Sequence, residues 1–191
     1  MNAALITTVI AAAVTVFVAL TGYFITYRNN LLIAQRTEQL NRINRQLSEL
    51  YGPLYAVVNT GDQVWKAFSG KHSLWISHLE STENKPTDSE LQEWRRWMTT
   101  VFMPSNRQLV ELIKTKSDLI IESDIPTCLK DLCAHVAAYE IVLIRWEQHD
   151  FSEHVSIIGF PSEDLMRYTT QSFKDLKSKQ AQMIGELTRN H

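Results

Sequence analysis

Glu147, His149, Asp150, Glu153 and His154 make the densest group of ligand-type side chains in the 191 residues. Imidazoles and carboxylates together can hold a divalent metal, so these five are the metal candidates. The Glu-x-x-His spacing by which helical bundles build carboxylate metal centres is absent. The competing reading is a solvated loop whose charges cap the helices on either side. His135 and Glu140 form a second group, set in the nearly uninterrupted apolar run from Leu132 to Trp146. A carboxylate in such a run must be paired or protonated. These two are therefore either a proton-sensitive switch or buried polar groups hydrogen-bonded to Arg95, Arg96 or Arg145, or to a Trp or Tyr donor. Gly70-Lys71-His72-Ser73 lacks the upstream glycine of a phosphate loop, its place being taken by Trp65. Gly-x-Ser-x-Gly and the dinucleotide fingerprint are missing. No catalytic residue and no cofactor-binding residue is assigned, and the chain is not expected to be an enzyme.

Cys128 and Cys133 do not make a disulfide framework. On a helix, five residues separate their Cα atoms by roughly 8.6 Å, beyond disulfide reach, which points to small buried thiols in a reducing compartment. Trp65, Trp75, Trp94, Trp97 and Trp146 stand at helical spacings that suit packing better than a ligand cage.

The elements that must position these residues follow a long apolar opening. Met1 to Tyr27 contains no Asp, Glu, Lys, Arg or His. As a helix, Ala3 to Tyr27 would measure roughly 37 Å against a hydrocarbon core of about 30 Å, enough to span with some tilt. A signal peptide needs a basic start and a shorter core, so residues 1–27 are expected to be a retained anchor. Arg28, Arg36, Arg42 and Arg45 all follow the run and no basic side chain precedes it, which places the body on the cytoplasmic side.

Beyond the span, apolar residues repeat as heptads: Ile33, Leu40, Leu47 and Leu54 in one row, Ile43, Leu50 and Val57 in the other. This predicts a helical stalk over 28–52, ending or kinking at Gly52-Pro53. Small residues at Ala4, Thr8, Ala11, Thr15, Ala19, Gly22 and Thr26 fall on one face of the span, in line with Ile33. The surface of self-association is therefore expected to pass through Ala11, Thr15, Gly22, Ile33, Leu40 and Leu47, joining two copies in parallel. Residues 53–191 should form a cytoplasmic bundle. Its helices are expected from Pro53, from Ser89 (broken or kinked at Pro104, with a capping box at Ser105 and Gln108), from Pro126 and from Ser162. A polar loop is expected at Ser81 to Asp88. Leu132 to Trp146, without a polar face, should lie in the middle. The fold class is all-α: one N-terminal transmembrane helix continuing into a bundle of about five helices.

Three segments carry a resemblance: Asp131-Leu132-Cys133-Ala134-His135-Val136-Ala137-Ala138-Tyr139-Glu140, Asp150-Phe151-Ser152-Glu153-His154, and Arg45-Gln46-Leu47 with Leu50-Tyr51-Gly52-Pro53-Leu54-Tyr55. They resemble an uncharacterised family of bacterial single-pass membrane-anchored helical proteins. The resemblance implies a bacterial inner (cytoplasmic) membrane setting and brings no function or site residues with it. His149-Asp150 is also the dipeptide of the all-α HD phosphohydrolases, but their distant His and Asp have no counterpart here. A formal net charge of −2 gives no reason to expect nucleic acid. The expected function is a membrane-anchored helical interaction module (a scaffold, adaptor or sensor), with the lipid bilayer, a second copy of the chain and a cytoplasmic protein as partners. The alternative is a membrane-acting effector or small-molecule-binding protein whose span senses or perturbs the bilayer.

Overall fold

The computed structural model describes residues 3–77, 79 and 85–189. Among them every regular element is a helix: α1 (Ala3–Arg45), α2 (Gly52–Ile76), α3 (Asp88–Trp97), α4 (Met103–Thr115), α5 (Thr127–Glu147) and α6 (Ser162–Arg189). Two π-helical segments, Gln46–Tyr51 and Met98–Phe102, join α1 to α2 and α3 to α4 without a break. The six α-segments therefore make four continuous helices where about five separate bundle helices were expected behind the span. The expected loop at Ser81 to Asp88 falls outside the described residues as far as Asn84.

The two π-segments share one cause. Proline has no N–H for the carbonyl four residues back, and its ring collides with that carbonyl. In each case the residue before the proline bonds five residues back instead. Gly52 donates to the Leu47 carbonyl ahead of Pro53, and Met103 donates to the Met98 carbonyl ahead of Pro104. The wider turn carries the ladder past the proline, which then occupies the first turn of the next α-segment, where its missing N–H is harmless. Of the readings left open at Gly52-Pro53 and at Pro104, the end and the break give way to helices that continue through π-turns. Gly52 is required for a further reason: a Cβ there would press on the Leu47 carbonyl oxygen. Ser105 lies inside the continuous helix and donates to Val101 (3.0 Å), so it caps nothing. A capping box does open α3, where Thr87 N–H reaches Glu90 (2.7 Å) and Glu90 N–H reaches the Thr87 hydroxyl (3.3 Å).

The described residues fall into two units, 3–42 with 183–189, and Ile43–Gln182. In the first, α1 is exposed along its apolar stretch, with Phe17 70% and Tyr23 72% accessible. This N-terminal helix is long and apolar enough to cross a membrane. Its aromatic residues gather at the C-terminal edge of that stretch: Tyr23 stacks on Tyr27, and the Arg28 guanidinium lies over Phe24.

The second unit starts at Ile43, ten residues earlier than the expected bundle boundary at Pro53. The reason is burial, because Ile43, Gln46, Leu47, Leu50 and Tyr51 are all enclosed. Leu47 therefore belongs to the chain's own core, and the expected surface of self-association keeps only Ala11, Thr15, Gly22, Ile33 and Leu40. The deepest core joins Leu50, Tyr51 and Leu54 to Met103, Leu129, Leu132 and Leu165. A polar chain crosses it. Ile121 N–H donates to the Tyr51 hydroxyl (3.0 Å), Tyr51 donates to Tyr168 (2.9 Å), and Tyr168 donates to the Glu122 carboxylate (3.0 Å). Burial, with its proton held by the Glu122 carboxylate, pushes the Tyr168 phenol far up.

A second, aromatic cluster joins α2 to α3 and its π-turn. Phe68 lies within 6.0 Å of the rings of Trp75, Trp94, Trp97 and Phe102. The five tryptophans thus do mostly pack, as their spacing suggests, although three of them also donate hydrogen bonds that matter below.

Candidate functional site: a strapped loop

Between α5 and α6 the chain runs through Asp150 to Pro161 without regular structure. Such a segment has carbonyls that no helix satisfies. Here side chains satisfy them. Trp94 Nε1–H and the Tyr139 hydroxyl both donate to the His154 carbonyl, at 2.7 and 2.8 Å. Trp146 Nε1–H donates to the Glu153 carbonyl at 2.8 Å. His135 Nδ1 sits 2.6 Å from the Ile158 carbonyl, and because a carbonyl can only accept, Nδ1 carries the proton. Arg145 pairs with Glu153 (2.9 Å), and the Arg95 guanidinium lies 4.2 Å over the Phe151 ring. Donors from α3 and α5 thus strap the loop down, and the apolar face of α5 has a use beyond packing.

The strap explains most of the metal candidates. Glu147 is exposed at the end of α5. His149 has a positive φ of 62° and closes that helix: its N–H reaches Trp146 and Asp150 N–H reaches back to Arg145. These are the two bonds of a Schellman C-cap, with His149 in the place usually held by glycine. Ser152 holds the Asp150 carboxylate below the usual carboxylate range, first through its hydroxyl and then through its N–H, which donates at 3.0 Å. Glu153 is engaged by Arg145, and His154 is half-buried. The five lie in one segment but do not converge. No group of three His, Cys, Asp or Glu that could hold a metal is found among the described residues.

His135 is buried, against Tyr139 and Phe160, and burial pushes its pKa down. Glu140 departs from expectation. It is not buried, and its partner is Arg107, none of Arg95, Arg96 or Arg145. The pair is bidentate, with both nitrogen–oxygen distances 2.7 Å, and it holds the carboxyl below its ordinary range. α5 is less enclosed than its composition suggests, since Ile141 and Ile144 face outward.

Beside the strap lies a cleft of about 600 Å³, lined by Leu79, Lys85, Leu91, His154, Ser156 and Ile157 among others. His154 Nδ1 is fully buried in its wall and has no hydrogen-bond partner among the described residues. Sequence reading missed the strap donors Trp94, Tyr139 and Trp146. The available signal was that buried Trp and Tyr need acceptors, and that a loop without strands or helix next to α5 would have carbonyls to offer. No protein-family model, curated protein or solved structure matches this chain.

Proposed function

We propose that this chain is a membrane-anchored helical interaction module: a scaffold, adaptor or sensor of the bacterial inner membrane. α1 is its retained single-pass anchor and the unit Ile43–Gln182 its cytoplasmic body. The observation that carries this reading is the exposure of α1. Val14, Phe17 and Leu20 have no protein cover, although the body has a closed core of its own. An exposed apolar surface of this extent requires lipid or a partner. The aromatic residues and Arg28 at the end of the stretch suit a membrane–water interface, and the arginines that follow suit the cytoplasmic side. A second copy is the partner proposed along Ala11, Thr15, Gly22, Ile33 and Leu40, with an unidentified cytoplasmic protein meeting the body. Alkaline phosphatase fused after His191 should be inactive and fractionate with membranes. A strongly active fusion sinks the orientation, and a soluble one sinks the anchor.

A further inference from the structure

We propose that the loop from Asp150 to Pro161 is an acid-released strap, with His154 as its trigger. The proposal goes beyond the anchoring reading and stands whether or not α1 crosses a membrane. The loop is attached most tightly at His154, whose carbonyl takes two donors from two different helices. The same residue's Nδ1 is buried at that point without a partner among the described residues. A neutral imidazole tolerates this, whereas an imidazolium must find an acceptor for each N–H.

Among the described residues the surroundings offer none readily. α3 contributes Arg95, a cation that opposes a second positive charge. α5 contributes Tyr139, whose hydroxyl proton is committed to the His154 carbonyl, and Arg145, which already holds the neighbouring Glu153. Lys85 and Asp88, of opposite charge, both line the cleft beside the ring. Burial first, then Arg95, depresses the His154 pKa from its ordinary value of about 6.5.

The sign follows. With the strap closed His154 resists protonation, and with the loop released it titrates normally. The strap is therefore intact above about pH 6.5 and loses hold as pH falls below it, by at most about tenfold per pH unit for one proton. Release uncovers the Trp94, Tyr139 and Trp146 side chains, an aromatic face between α3 and α5. His135 is buried too and its pKa is also pushed down, but charging it leaves the Nδ1–H bond to Ile158 in place. At His154 the new N–H arises at the unpartnered Nδ1, so substitution at the two positions separates them.

The reporters are built in. In full-length protein labelled on tryptophan, the indole N–H resonances of Trp94 and Trp146 should shift together on lowering the pH from about 7.5 to about 5. That of Trp97, which donates to Glu93 on its own helix at 2.8 Å, should stay. His154→Gln should abolish the joint shift and His135→Gln should keep it, with His154→Asn as the alternative if the glutamine variant does not fold. No joint shift, a shift that persists without His154, or one that takes Trp97 along overturns the proposal.

Discussion

α1 leaves Phe17 and Leu20 more than 60% accessible, whereas α5, of similarly apolar composition, sinks Leu129 and Leu132 completely. The difference lies in what interrupts each run. α5 carries His135, Glu140 and Arg145, and each has found a partner in another element or loop: Ile158, Arg107 and Glu153. α1 carries no Asp, Glu, Lys, Arg or His before Arg28, and so has no charged side chain with which to address the rest of the chain. An apolar helix belongs inside its own protein when its few polar groups are placed to be answered there. One without such groups has to be covered from outside.

Reciprocal substitutions should break the comparison most visibly. Leu132→Ala removes a fully buried side chain and should cost about 2–5 kcal/mol, seen as a lower melting temperature of the body, with membrane fractionation unchanged. Val14→Arg should do the reverse: a charge near the middle of a span opposes insertion by about 2.5–3.5 kcal/mol, while the melting of the body stays put. A Val14→Arg variant that melts early would mean that α1 packs like α5.

Glu140→Ala sharpens the contrast at smaller cost. The Arg107 pair is bidentate but well over a third exposed on the arginine side, so its loss should lower stability by no more than about 1 kcal/mol. Because the Glu140 pKa is lowered in the folded state, its contribution is full above the ordinary carboxylate value of about 4.3 and fades as pH falls through the lowered one. The wild type and Glu140→Ala melting curves should therefore converge in acid. A difference that persists below about pH 3 would assign the loss to packing instead.

The smallest expected effect sits at the end of α5. His149 holds a left-handed conformation that costs a β-carbon-bearing residue energy and glycine none. His149→Gly should therefore be neutral or raise stability by up to about 1 kcal/mol in thermal unfolding. A large loss would give the imidazole a role other than capping.

Charge and hydropathy made α1 legible as a long apolar helix, because a run without Asp, Glu, Lys, Arg or His needs no tertiary information to be recognised as one. The all-α class was legible from the same periodicity. The loop was legible as a polar segment but not as a strap, since its attachments run from indoles and a phenol to backbone carbonyls, and carbonyls leave no mark in a sequence. Glu140 was read as enclosed because its neighbours in sequence are apolar. What exposes it is the outward face it shares with Ile141 and Ile144, which depends on how α4 and α5 pack.

The π-turn at Met98–Phe102 works on the helix as a frameshift works on a message. Buried positions run Trp94, Met98, Met103, Asn106, the adjacent pair Leu109 and Val110, and Ile113; from turn to turn the steps are three or four except for one of five across the π-turn. Every inward residue after it is thus read in a second frame. Deleting one residue there would leave a better α-helix and a worse protein, because about 100° of rotation would carry Met103, Leu109 and Ile113 away from the core together. Position along the chain and direction toward the core are separate quantities here, and one surplus residue keeps them in step.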